Sequence, residues 1–425
     1  MLAPSPVRQA PPPPAKPRLT PVRILFRSWR ELRKMRTAII LLAILALLAT
    51  IGTLLPQIPQ NPRSVMGFVL RHPYSSPWLA RLGFFDIFSS VPFIVTAVLM
   101  YVSIGASMFI RVPAAWRRFA IHGQRNRAFW AEIASIVFHA SFFVLLVGVL
   151  IGKSAGFVGN AAVVEGDSFV EARANYDNLS EGQFAGRHAG FEVKVDSFKA
   201  AYWPTGAPRD FTSRVRIFDQ GRLVETRNIQ VNHYLDYRGV KIYQAGYGWA
   251  PTLRIETPDG RVVADAPTIF VGDPQLANGV IKAPSAGSTS QELGVTALFM
   301  PDPRVVNEAI SPGTPQLRNP LLLARLFRGD LHLDRAQNVF ALDTGNMDLR
   351  WRGALRLGDS VVTPDGYRLT FTGLKQYTDL TINKDPGISI VLAAFIIGLS
   401  ALILSLYLPL LGPEQRLAPA RQFTD

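Results

Sequence analysis

The sequence predicts a polytopic membrane protein of α + β class: four transmembrane helices, with a large, mainly antiparallel β domain between the third and fourth. Three observations carry this. Apolar residues cluster in four runs, 37–55, 91–110, 131–151 and 387–411. Basic side chains crowd the segments flanking those runs. Between the last two runs the pattern changes to period-2 alternation broken by turn signals.

Each run is 19 to 25 residues long. At ~1.5 Å per residue each spans a hydrocarbon core of ~30 Å. Three runs are free of charge, and the third carries only Glu132 near its start. The first run has a longer apolar core than a secretory signal's ~7–15 residues and lacks a small-x-small cleavage site. It is expected to remain as an anchor.

The net charge is +14, but residues 152–386 hold 26 basic and 26 acidic side chains. The excess therefore lies outside them. Nine basic residues fall in 1–36 and five in 111–130. The positive-inside rule places both segments in the cytoplasm and explains the charge without a nucleic-acid partner. It puts residues 152–386 on the extracytoplasmic side of the cell membrane and returns the C-terminal tail, 412–425, to the cytoplasm. The absence of cysteine excludes disulfides and thiolate chemistry by this chain.

Residues 1–21 are Pro-rich and predict a disordered cytoplasmic tail. Residues 22–36 form a basic amphipathic juxtamembrane segment, with Leu25, Phe26, Trp29, Leu32 and Met35 at helical spacing among arginines. It suits an interfacial helix on anionic lipid, or a continuation of the first span. Trp78, Phe84, Phe85 and Phe88 suit a short reentrant or surface helix after it. In the β domain, FEVKVDSF alternates apolar with polar residues. Hairpin turns are signalled at Asp219-Gln220-Gly221, Pro258-Asp259-Gly260 and Pro364-Asp365-Gly366. Residues 315–330, PQLRNPLLLARLFRGD, read as one short helix.

No phosphate loop, HExxH, GxSxG or Cys–His pair occurs, so the chain is expected not to be an enzyme. His188, His233 and His332 lack metal-ligand spacing. Of six histidines, His139 alone lies inside an apolar run. An ionisable group there costs several kcal/mol without a partner and marks function by default. Three roles suit it: a bond to a neighbouring helix, a proton relay, or an axial ligand to haem iron. It stands about 12 Å from the start of its run, in the cytoplasmic half.

Several stretches carry a resemblance: RELRKMRTAIILLAILALLATIGTLLPQ, LGFFDIFSSVPFIV, FHASFFVLLVGVLIGKSAGFVGNAAVVEGDSF, IQVNHYLDYRGVKIYQAGYG and YRLTFTGLKQYTDLTINKDPGISIV. In this order, the chain resembles the ResB (CcsB-type) cytochrome c biogenesis family. The resemblance implies haem export and presentation of haem and apocytochrome c for thioether attachment. It implies a CcsA/ResC-type membrane partner with a tryptophan-rich motif, absent here as the separate-subunit arrangement expects. Thiol-reducing proteins are implied beside them. It makes His139 an axial ligand to haem b in transit. Glu165, Gly166, Asn232, Tyr243, Gln244, Asp385, Pro386 and Gly387 match motif positions and read as fold or docking residues. Asp385 suits an N-cap and Pro386 a first helical turn. The rival reading is a cofactor-free membrane scaffold or receptor with an extracytoplasmic binding domain, in which His139 bonds another helix.

Overall fold

A computed structural model describes residues 29–58, 65, 68–69, 72–123, 126–203, 207–284, 292–306, 308–334 and 340–411. The expected tails, 1–21 and 412–425, and residues 22–28 lie outside the described residues. The chain divides into two compact units, Met1–Val147 with Ile390–Asp425, and Gly148–Ser389.

The first unit is helical. Among the described residues four helices are long and apolar enough to cross a membrane: α1 (Met35–Leu54), α2 (Val91–His122), α3 (Arg127–Ala155) and α4 (Ile388–Tyr407). The protein is thus a multi-pass membrane protein. Hydropathy located each span but misjudged two ends. Residues 111–122 and 127–130 are helical, because backbone hydrogen bonding continues after the apolar run stops. α2 closes on Gly123, whose left-handed φ of 59° caps it. An ion pair, Arg118 to Glu132 at 2.5 Å, joins α2 to α3 there.

At the N-terminal end, residues 29–32 are helical and break at Arg33 and Lys34 before α1 begins. The described part of the basic segment is therefore not a straight continuation of the first span. The Ser103 hydroxyl on α2 donates to the Leu32 carbonyl at 2.5 Å and holds this piece. Of the expected aromatic surface helix, only Trp78 lies in an α-helical turn (Ser76–Arg81). Phe85 and Ile87 instead turn inward, fastened by the buried Gln57, which donates to the Phe84 carbonyl at 3.1 Å and accepts from the Ile87 N–H at 3.0 Å. On α4, the small residues Ala394, Gly398 and Ala401 are buried. A Cβ on Gly398 would overlap the Ser141 side chain, so this stripe lies against α3.

The second unit is antiparallel β. Its strands, in chain order, are β1 (Phe157–Val164), β2 (Ser168–Val170), β3 (Asn178–Glu181), β4 (Glu192–Tyr202), β5 (Pro208–Asp219), β6 (Arg222–Gln230), β7 (Leu235–Tyr237), β8 (Val240–Glu256) and β9 (Val262–Ala264). Then follow β10 (Val271–Asp273), β11 (Leu276–Ala283), β12 (Glu292–Met300), β13 (Pro303–Val306), β14 (Ala309–Pro312), β15 (Leu321–Gly329), β16 (Asp348–Arg356), β17 (Ser360–Val362) and β18 (Arg368–Lys384). One sheet runs β3-β1-β18-β8-β7, with β17 on β18 and β9 on β8; a second runs β2-β4-β5-β6 and a third β10-β11-β12-β15-β16. The three turn signals join β5 to β6, β8 to β9 and β17 to β18, with Gly221, Gly260 and Gly366 at positive φ.

β8 and β18 are 17 residues each and serve two cores. Val240 and Ile242 on β8, with Leu380 and Ile382 on β18, pack with Val193, Val215 and Ile229 of the second sheet. Further along, Leu253, Ile255, Leu369 and Phe371 pack with Val295, Phe299 and Leu326 of the third.

The expected helix at 315–330 is strand β15. Leu322, Ala324 and Leu326 are buried while Arg325 is exposed, a period of two. A short leucine run fits either period, and pairing with β12 and β16 on both sides decides it.

The entry to α4 is close-packed. Asp385 Oδ1 accepts from the Gly387 N–H at 2.9 Å, the N-cap bond its position suggests. A Cβ on Gly387 would overlap the Gly148 carbonyl oxygen and lie 2.7 Å from the Gly152 nitrogen. Gly387→Ala is expected to destabilise the protein by about 1–3 kcal/mol through overpacking. Gly246→Ala, whose added Cβ would meet nothing nearer than 3.6 Å, should change stability by less than about 0.5 kcal/mol. Thermal melts of the detergent-solubilised chain followed by circular dichroism check both.

Candidate functional site

The α3 backbone sets the surroundings of His139. The ring is half-buried, edge-on to Phe138 with centroids 5.2 Å apart. Its Nδ1 lies 2.6 Å from the carbonyl oxygen of Ser135, one turn back along α3. A carbonyl can only accept, so Nδ1 carries the proton. In the neutral ring Nε2 then holds the in-plane lone pair. The imidazole thus meets its hydrogen-bonding need inside its own helix. Among the described residues no side chain of another helix bonds it, so the inter-helix bond considered from the sequence is not what holds this ring.

Ser135 has a second tie. Arg111 on α2 donates from Nη2 to the Ser135 hydroxyl at 3.3 Å. A cation therefore sits one helical turn from the imidazole. Sequence reasoning passed over both residues, although Ser135 lies at the i−4 spacing from which a carbonyl meets a histidine ring.

The other motif residues lie in the β domain and mostly fasten β18. Glu165, just after β1, accepts from the Phe198 N–H at 2.8 Å and the Gln376 N–H at 3.3 Å. Its carbonyl accepts from Lys375 Nζ at 2.9 Å. One side chain thereby ties β1, β4 and β18 together. Gly166 turns with φ of 90° and donates to the Val195 carbonyl at 2.8 Å. Gln244 is buried: its Oε1 accepts from the Ser213 hydroxyl at 2.5 Å and the Thr378 hydroxyl at 2.9 Å, and its Nε2 donates to the Gly246 carbonyl at 2.7 Å. Tyr243 pairs in register with Thr381 and lies 4.9 Å, ring to ring, from Tyr234. Asn232 is exposed in the turn after β6, at φ 66°. Asp385, Pro386 and Gly387 form the exit from β18. These residues do not converge on a single cleft.

His188 belongs to a satisfied buried group. Glu171, with no exposed surface, accepts from His188 Nδ1 at 2.5 Å, the Tyr176 hydroxyl at 2.8 Å and the Ala189 N–H at 2.5 Å. Burial first, then the bond to Glu171, pushes the Tyr176 phenol up. Among the described residues no three His, Asp or Glu side chains are grouped to hold a metal ion.

Four spans among the described residues, a half-buried imidazole bonded to its own helix, and a β domain inserted between the last two spans define a multi-pass membrane protein with a large folded appendage. Comparison with known proteins narrows this class. The ResB-like family matches residues 35–129 and 120–410. The chain belongs to that family. It is similar to a protein named cytochrome c biogenesis protein CcsB from Synechococcus sp. (strain JA-3-3Ab), 25% identical over 268 residues, 61% of this chain and 47% of the relative. The CcsB proteins of Microcystis aeruginosa and Gloeobacter violaceus are 25% and 27% identical, covering 65% and 64% of this chain and 53% and 50% of their own lengths. The chain thus spans about half the length of the curated relatives it matches.

The Asp379 carboxyl on β18 is pushed up to about 6, by burial first and by the charge of Asp177 second. Folding therefore favours its neutral form. That contribution is complete below about pH 4 and is lost as pH rises through about 6. Asp379→Asn is expected to raise stability at pH 7.5 by about 1–2 kcal/mol and to flatten the decline between pH 4 and 7. Urea unfolding across that pH range measures it.

Proposed function

We propose that this chain is the non-catalytic component of a membrane complex that delivers haem and attaches it to apocytochrome c. The observation that carries the reading is the Nδ1–H bond of His139 to the Ser135 carbonyl. In the neutral ring it leaves Nε2, the nitrogen suited to ligating haem iron, as the acceptor, without a partner among the described residues. A structural histidine that glued helices would engage the neighbour instead.

In this reading haem b is cargo, and iron supplies the affinity for the imidazole. The chain's own residues do the rest. The Ser135 carbonyl fixes the tautomer and ring direction of His139. Arg111, one turn away, offers a cation to a propionate. The N- and C-termini are cytoplasmic and the β domain extracytoplasmic, as the basic flanks favour. His139 would then receive haem from the side where it is made. A CcsA/ResC-type partner with a tryptophan-rich motif supplies a second site. The β domain holds apocytochrome c so that its reduced thiols meet the haem vinyl groups, a gain by proximity and orientation. The names of the similar CcsB proteins and the family match support a place in cytochrome c biogenesis. Glu165, Gln244 and Asp385 serve as scaffold in this account, since their side-chain bonds are already taken within the fold.

The test is the visible spectrum of the chain co-purified with its membrane partner. Wild type should show a Soret band. His139→Ala should lose at least tenfold of the bound haem and of c-type cytochrome yield, with unchanged protein yield. A colourless wild-type complex, or an unchanged band in the variant, would overturn the assignment in favour of a cofactor-free scaffold.

A further inference from the structure

The third sheet has two faces. One carries Val295, Phe299 and Leu326 into the core. The opposite face holds an arrangement that folding alone does not explain. Register places Val280, Thr296, Arg325 and Arg352 in one row across β11, β12, β15 and β16. Arg325 and Arg352 are thus direct cross-strand partners, both exposed.

Like charges at such positions repel and destabilise a sheet pair. Other arginines of the domain stand beside carboxylates: Arg216 beside Asp196, Arg238 beside Asp219, and Arg254 beside Glu256 and Asp265. Among the described residues neither the Arg325 nor the Arg352 side chain has an ion pair or hydrogen bond. The pair lines a cavity of ≈ 680 Å³ whose described lining contains no acidic side chain.

Apart from Asn278 and Thr296, the rest of its described lining is apolar. Leu298 and Leu323 are register partners in the row beside the arginines, and Leu298 is 41% exposed. At the far edge, a Cβ on Gly294 would lie 2.7 Å from Leu342, so the segment carrying Leu342 roofs the face there. A flat apolar floor, a partial roof and two adjacent guanidinium forks meet in one concavity. Its volume lies in the range of small-molecule sites.

We infer that this cavity is an anion-recognising site for a flat amphipathic dicarboxylate, with Arg325 and Arg352 each taking one carboxylate and the leucine row taking the apolar ring. Guanidinium binds carboxylate through two parallel N–H···O bonds, and two forks side by side match two carboxylates on one edge. Thr296, next in the row, adds a hydroxyl. A porphyrin with paired propionates has this chemistry. The identification of the ligand rests on the haem-delivery reading above, whereas the anion site rests on the register alone.

The probe is metal-free protoporphyrin IX, added to the full chain in lipid nanodiscs and read by fluorescence. Without iron it needs no axial imidazole, so the experiment is separate from the His139 assignment. The double variant Arg325→Gln/Arg352→Gln should bind at least tenfold more weakly, and should melt no lower than wild type because a repulsion is removed. Lysines at both positions should recover part of the affinity. Protoporphyrin IX dimethyl ester, its carboxylates blocked, should bind wild type as weakly as the free acid binds the double variant. Equal binding of acid and ester, or equal binding by wild type and the double variant, would overturn the site and leave the His139 reading standing.

Discussion

β18 is the member on which the rest of the structure depends. Its 17 residues pair with β8 along nearly their whole length, and its second half also pairs with β1, from Phe157 opposite Lys384 to Val164 opposite Tyr377. Strands usually run three to ten residues, and a straight one of this length would splay from its neighbours. Register shifts at Phe371/Gly373 and at Asp379/Leu380 accommodate it. Because β18 contributes buried side chains to both cores, neither half of the domain is complete without it. Only Gly156 separates α3 from β1, and three residues separate β18 from α4. Loss of the β1–β18 ladder would release the chain ends of two spans as well as a sheet.

That constraint explains what the motif residues do. A clamp such as Glu165 is needed where β1 ends, because three strands meet there and their backbone donors must be satisfied away from water. Gln244 answers the same need at the second register shift, where its Oε1 accepts from both buried hydroxyls, Ser213 and Thr378, which also lie 3.0 Å from each other. The imidazole of His139 is the contrasting case. One nitrogen is satisfied by a carbonyl of its own helix, and the other is available in an environment where an idle polar group is costly. In the proposed reading that nitrogen is kept for haem iron.

Much of this was legible in the residues. The spans stood out because lipid tolerates only long apolar helices, and the Pro-Asp-Gly turns because few residues accept their dihedrals. What escaped was decided by tertiary pairing. Residues 321–329 have a composition that fits a buried helix as well as a strand, and only β12 and β16 settle the matter. The extension of α2 through Arg117 and Arg118 is invisible to hydropathy, which reports solvent and not backbone conformation. His139 was conspicuous as the one histidine in a span, but its partner is a backbone carbonyl, which no side-chain pattern announces. The arginine pair of the third sheet was illegible for a similar reason, since adjacency across strands is a matter of register.

The central claim is that His139 presents Nε2 to haem iron. Replacing the side chain with glycine in the partner complex and supplying free imidazole isolates that one bond, because the small molecule can fill the vacated space while the helix is otherwise unchanged. The account predicts that His139→Gly loses the Soret band and that millimolar imidazole restores it together with cytochrome c production. A band that survives the substitution, or one that imidazole does not bring back in a well-folded complex, would contradict it.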